Sequence, residues 1–312
     1  MRDLSLRSWA DWMAVPRGRQ AAALREWLAN VPAERGGEEW NQAFGPGSLF
    51  DAWTRSSVMR GVYEHNVQVL RPVLQPLDDW SAVEIGGGDG RLWHHVGASV
   101  GGGSLTVIDP SAEVHSVLPG ALPDGIALKS VMAPVQQTLG DADVWGGLDA
   151  VVCSLTLHHL AGIDAAERAQ HGLVGPGKRE VLQQIRASLK PGGILLLNEA
   201  DVHCDLALGP GSEGLQDRLM DSYVRRCAGR LLADAEAASD ADPDLRARWR
   251  AIARAWCLEQ VRYADVPVAD RDVYELDVLR WMALLNEAGF RVRSHQFTDE
   301  AQLFHQYVAV VA

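Results

Sequence analysis

Gly86, Gly87, Gly88 and Gly90 crowd one short turn that is broken only by Asp89. The apolar run Ser81–Ile85 precedes them, and Arg91 to Ser99 reads as a helix. Glycine lets a chain turn sharply and leaves no Cβ between the backbone N–H groups and a ligand. A strand, a glycine turn and a helix in that order make a site for a nucleotide-like cofactor, with a purely structural turn as the alternative. The dinucleotide fingerprint Gly-x-Gly-x-x-Gly does not fit: from Gly86 it requires glycine where Arg91 stands, from Gly87 it fails at Asp89, and from Gly88 it ends on Trp93. Gly86, Gly88 and Gly90 instead fall at every second position behind Glu84. Asp109 closes the next strand, where a carboxylate can accept hydrogen bonds from both hydroxyls of a ribose. Its alternative is a plain N-cap for a helix over 111–117.

Groups able to move a proton follow later in the chain. His158 and His159 come just after an apolar strand, and a histidine there can take a proton near neutral pH. Either one can instead serve only to orient a loop. Glu199, Asp201 and His203 follow another strand, at the carboxyl edge where such sheets bind ligands. Their carboxylates can cage an amine or guanidinium, or act as caps and solvated charges. No further ligand pattern accompanies them, so no metal is expected. Tyr63, with His65 near it, lies on the helix before the glycine turn and can touch cofactor or substrate, or pack in the core.

The elements that must position these groups alternate. Helical runs over 20–29 and from Phe50 through Leu74, with Pro72 kinking or splitting the second, precede strands at 81–85, 104–109, 125–129, 148–154 and 194–198. A helix over 178–189 and one over 273–288 closed by Gly289, then strands from Phe290 and over 303–311, complete the pattern. Strands alternating with helices imply a doubly wound α/β sheet, mostly parallel. Residues 201–270 lack strand patterning and read as helices, with the acidic piece 234–243 as an exposed connection. The expected division is a helical region or lid over 1–79, a cofactor core over 80–200, a helical cap over 201–271 and the end of the core over 272–312.

The chain has 312 residues and a formal net charge of −12, with 47% hydrophobic residues. That composition supports a packed core and makes nucleic acid a poor partner. The arginines of 245–250 alternate with apolar residues and read as a solvated helix face. Cys153, Cys204, Cys227 and Cys257 match no zinc or redox spacing, and Cys153 reads as core. No secretory signal and no membrane span is visible, so a cytoplasmic protein is expected, with a homodimer left open. Eleven tryptophans are expected mainly to pack the cap on the core.

Several of these segments together resemble the class I methyltransferase family, which uses S-adenosylmethionine (SAM). Val83–Gly90 resembles its first motif, and Val107–Ser111 the acidic end of its second strand. Leu148–Leu160 resembles the fourth strand with its substrate-facing turn, and Leu189–Leu195, with Lys190-Pro-Gly-Gly193, the turn into the fifth. Glu287 to Val292 resembles the approach to the closing strands. The likeness spans about 80–200 and 272–312. It implies a seven-stranded sheet with an antiparallel last strand and a helical cap.

The resemblance also implies site residues. Glu84 belongs to the cofactor motif, with backbone contacts from Gly86 and Gly88 to the methionine part of SAM. Asp109 is expected on the ribose, Pro110 beside the adenine, and Ser154 and Leu155 at the sulfonium end. The chain departs from the family after strand three, where Ser130–Ala133 carries no acidic residue, so adenine is expected to pack on Met132. The expected catalytic residues are His158, His159 and Glu199, with Tyr63, Asp201 and His203 on the substrate. The Asp/Asn-Pro-Pro-Tyr/Phe signature is absent after strand four, which argues against adenine or glutamine N-methylation. The expectation is a small-molecule methyltransferase, with an amine- or guanidine-bearing acceptor favoured. A protein or peptide methyltransferase, an NAD-dependent oxidoreductase and a silent SAM-binding protein are the alternatives; no Tyr-x-x-x-Lys supports the oxidoreductase.

Overall fold

A computed structural model describes residues 48–160, 176–200, 229–237, 242–253, 276–298 and 303–312. Asp201, His203 and the N-terminal helix expected over 20–29 lie outside these residues, as do Cys204, Cys227 and Cys257. Seven strands form one sheet in the order β3-β2-β1-β4-β5-β7-β6. They are β1 Trp80–Ile85, β2 Gly103–Ile108, β3 Ile126–Val131, β4 Leu148–Ser154, β5 Leu189–Ala200, β6 Phe290–Phe297 and β7 Phe304–Val311. β7 runs antiparallel to both β5 and β6, and the other neighbouring pairs are parallel.

Side-chain alternation sorts the core into two layers. Ile194 and Leu196 face one way, with Ala82, Ala150 and Val152, against α2 Ser57–Leu74, α3 Arg91–Gly97 and α4 Ala112–Ala121. Leu195 and Leu197 face the other way, with Val83, Ile85, Val151 and Cys153, toward α5 Pro176–Ser188 and α8 Val278–Glu287. β4 is buried along almost its whole length, as its unbroken apolar run requires of a central parallel strand. Trp80 and Trp93 stack with ring centroids 5.5 Å apart, locking α3 onto β1. Trp53, Trp145 and Trp281 are also buried, so the tryptophans described here mostly fill the core.

Three local expectations are corrected. The helix read from Phe50 onward is two: α1 Leu49–Thr54 ends at Arg55, and Ser56 caps α2 by accepting from Met59 N–H at 3.3 Å. Pro72 does not split α2, which runs unbroken to Leu74 with Pro72 in its last turn. The acidic piece from Asp234 is not all exposed connection. α6 Gly229–Ala237 includes Asp234, whose carboxylate accepts from Ser57 N–H at 2.9 Å. A further helix, α7, spans 243–253, with Trp249 buried.

The strand order reverses at β1, which lies between β2 and β4. Ligands of open α/β sheets bind outside the carboxyl ends of the strands at such a point. The glycine turn and the segment after β4 therefore share one sheet edge.

Candidate active site

Gly86, Gly88 and Gly90 adopt φ values of +78°, +53° and +73°. An L side chain resists that left-handed backbone, so every second glycine is a steric requirement. Gly86 is also crowded: a Cβ there would lie 2.3 Å from Thr156 Oγ1, in the turn after β4. Gly87 N–H donates to Asp109 Oδ2 at 3.2 Å, and Ser111 N–H to Asp109 Oδ1 at 2.8 Å. The helix N-cap is Ser111, not Asp109. Burial pushes the Asp109 carboxyl up from its ordinary value, and the Ser111 and Gly87 bonds pull it back. Each carboxylate oxygen accepts one backbone N–H and retains acceptor capacity. A bare glycine cradle beside such a carboxylate fits the nucleoside of SAM. Pro110 is exposed next to Asp109, and Met132 is 62% exposed beyond β3, both open to a flat ring.

Glu84 is placed differently from the other motif residues. It is buried beneath the turn, where Trp93 Nε1–H donates to it at 2.8 Å. Burial pushes its pKa well above the ordinary 4.5, the Trp93 bond lowers it, and the charges of Asp89 and Asp109 raise it. A carboxyl whose pKa is raised by folding binds its proton more tightly in the native state. Stability is therefore lost as pH climbs above about 4.5 toward the raised native value. Glu84→Gln is expected to raise the unfolding free energy at neutral pH, read by urea titration, by on the order of 1 kcal/mol. The gain should vanish below the ordinary carboxyl range, and an equal gain at every pH would count against a charge effect.

Opposite the glycine turn, Leu155 holds φ +55°, a left-handed backbone in a non-glycine residue that costs about 1–3 kcal/mol. Its N–H is fixed by Asn198 O at 2.9 Å. The twist leads into a short 3-10 turn, Leu157–His159. Glu199 Oε1 anchors that turn by accepting from Thr156 N–H at 3.2 Å and Leu157 N–H at 2.8 Å. Glu199 Oε2 lies 2.8 Å from His158 Nδ1, and His158 Nε2 lies 3.1 Å from His159 Nε2. The structure thus brings all three expected catalytic residues into one hydrogen-bonded chain, running from a carboxylate 1% exposed to an exposed imidazole.

Bond order sets the tautomers in a neutral pair. His158 donates Nδ1–H to Glu199, so its Nε2 accepts from His159 Nε2–H, and the lone pair passes to His159 Nδ1. Glu199, which also accepts two backbone N–H groups, is a poor candidate to cage an amine.

Ser154 carries a network that its neighbours in sequence do not announce. Its Oγ accepts from Asn66 Nδ2 at 3.2 Å and Asn198 Nδ2 at 3.0 Å, and Gln306 Nε2 donates to Asn66 Oδ1 at 2.8 Å. Asn66, Asn198 and Gln306 are all fully buried, tying α2, β5 and β7 to the end of β4. The available sequence signal was polar residues at positions facing the core. Tyr63 lies apart from the histidine chain. It lines a cavity of about 660 Å3 between α2 and α3 with Thr54, Arg60, Arg91 and His95. Burial, then the charge of Asp89, pushes its phenol well up, so it stays protonated.

Among the described residues, no group of three His, Cys, Asp or Glu side chains can hold a metal ion. Nor is any described helix long and apolar enough to cross a membrane.

Residues 83–195 match a family described as "Methyltransferase domain". No curated protein matches the chain in sequence. Among solved structures, SCL7 of Oryza sativa is similar at 15% identity, covering 99% of each chain with a TM-score of 0.63. The mitomycin 7-O-methyltransferase is 17% identical, over 96% of this chain and 74% of that one, with a TM-score of 0.44. The likeness to SCL7 speaks to the fold.

Proposed function

We propose that this chain, whose residues 83–195 match a methyltransferase domain, uses SAM to methylate a small molecule whose acceptor atom must lose a proton. The observation that carries this reading is the chain Glu199–His158–His159 at the carboxyl edge of the sheet. Bound SAM supplies a methyl group already activated by its sulfonium. The remaining work falls to the protein: placing the acceptor, excluding water and taking a proton. The acceptor's lone pair forms the bond to the methyl carbon as the carbon–sulfur bond breaks, and that electron pair stays on sulfur. The acceptor's proton passes to His159 Nδ1, and the resulting positive charge is shared with His158 against the buried Glu199.

In this reading Gly86 and Gly88 hold the methionine part, Asp109 the ribose, and Pro110 and Met132 flank the adenine. Ser154 and Leu155 border the reacting end. The substrate contacts expected of Asp201 and His203 lie outside the described residues, and Tyr63 lines the cavity between α2 and α3. An amine remains a candidate acceptor, since it too must shed a proton before attack. A guanidinium cage would have to draw on carboxylates other than Glu199.

Labelled-methyl transfer across phenols, amines, carboxylic acids and a peptide set tests the proposal. Transfer is expected to a small acceptor. His159→Ala is expected to lower kcat about 10²- to 10⁴-fold for phenols and alcohols, while SAM binding by calorimetry stays near native. Unchanged kcat in that variant would remove His159 as the base. Transfer only to the peptides would favour a protein methyltransferase, and SAM binding without transfer would favour a silent binder.

A further inference from the structure

α1 is only six residues long, yet it touches two parts of the molecule distant in sequence. Toward the glycine turn, Asp51 Oδ1 accepts from Arg91 Nη2 at 2.8 Å. Arg91 in turn grips Asp89 with both its backbone N–H and its Nε, each at 3.1 Å. Thr54 Oγ1 donates to the same carboxylate at 3.3 Å. The Phe50 ring covers Gly88, with a carbon 3.3 Å from where a Cβ would stand. Asp89 therefore has its carboxylate held by α1 and Arg91, and it stands between Gly88 and Gly90, both of positive φ.

Toward the insertion, Trp249 Nε1–H donates to Ala52 O at 2.8 Å, in a buried contact. Just past α1, Ser57 N–H donates to Asp234 and Arg230 Nε donates to Ser57 Oγ at 2.8 Å. The helix that carries Trp249 thus fastens to α1 itself, and α6 fastens to Ser57, the first residue of α2.

We infer that α1 is a strap through which the inserted helices position the cofactor turn, with Asp51 and Trp249 as positioning residues. Buried charge-assisted bonds fix geometry more firmly than exposed ones, and the Asp51 side chain is 7% exposed. Loosening either end of the strap lets the turn relax out of its left-handed conformation. Cofactor affinity then falls although no cofactor contact has been removed. Coupling is reciprocal, so any ligand that tightens the contact of these two helices with the strap tightens cofactor binding by the same factor. The inference rests on the SAM assignment proposed above.

The experiment is calorimetric titration of the full chain with SAM, using Asp51→Asn, Trp249→Phe and their double variant. Asp51→Asn keeps shape and loses the ion pair; Trp249→Phe keeps an aromatic ring and loses the donor. Each is expected to weaken SAM binding about 5- to 10-fold, with the double variant well short of the product because both act through α1. In turnover the loss appears in KM for SAM and not in kcat, whereas a merely structural defect lowers the active fraction and kcat. Asp51→Glu should recover part of the affinity. Should Trp249→Phe fail to fold, Arg91→Lys replaces it, keeping the charge and losing the forked grip. Native affinity in the single variants, or losses that multiply fully, overturns the strap. A native chain that binds no SAM overturns the cofactor reading instead, so the two failures are distinct.

Discussion

Glu199→Gln is expected to lower kcat about 10²- to 10⁴-fold for acceptors that carry their proton at the assay pH. The amide oxygen can still accept from Thr156 and Leu157 N–H, so the turn after β4 keeps its anchor. The amide nitrogen, however, faces His158 Nδ1 where an acceptor stood. His158 must then accept at Nδ1 and donate at Nε2. His159 Nε2 becomes the acceptor, and the remaining proton moves to His159 Nδ1. The base is inverted without being moved. Acceptors already deprotonated at that pH, such as an acidic phenol or a thiol at high pH, should lose far less. Steady-state kinetics over a set of phenols of graded acidity reads this directly. An equal loss for every acceptor would mean that Glu199 holds the turn and does nothing to the proton.

The second large effect is on the cofactor. Asp109→Ala is expected to weaken SAM binding about 10²-fold, since hydrogen bonds to a charged acceptor contribute about 1.5–3 kcal/mol. Part of that loss comes from within the protein, because Gly87 N–H is left without its acceptor. Asp109→Asn retains one carbonyl oxygen and should fall between native and alanine. Titration with SAM and its demethylated product, alongside NAD as a control, measures all three proteins. If alanine binds as tightly as aspartate, Asp109 serves only to brace the glycine turn.

Much of this was readable in local sequence. Asp109 at a strand end and the alternating glycines are short-range features, because a turn and its conformational demands depend on adjacent residues. The bracing of Gly87 by Asp109 is different. It involves a bond between residues 22 apart and depends on β1 and β2 lying side by side. Glu84 shows the same limit. Its place in the motif suggested a cofactor contact, while the fold turns it inward to Trp93.

Composition, periodicity and turn chemistry determined the α/β class, the parallel core and the cofactor edge, because each depends on neighbours along the chain. They also nominated His158, His159 and Glu199 one by one. Only the tertiary structure joined them. β4 and β5 pair in parallel, with Ser154 beside Asn198, and this places Glu199 under the turn that carries the histidines. The polar cluster of Asn66, Ser154, Asn198 and Gln306, and the strap from Trp249 to Asp51, likewise had no local signature. A hydrogen bond between residues 197 apart leaves no periodicity to read, because it exists only once strand pairing and helix packing have brought its two ends together.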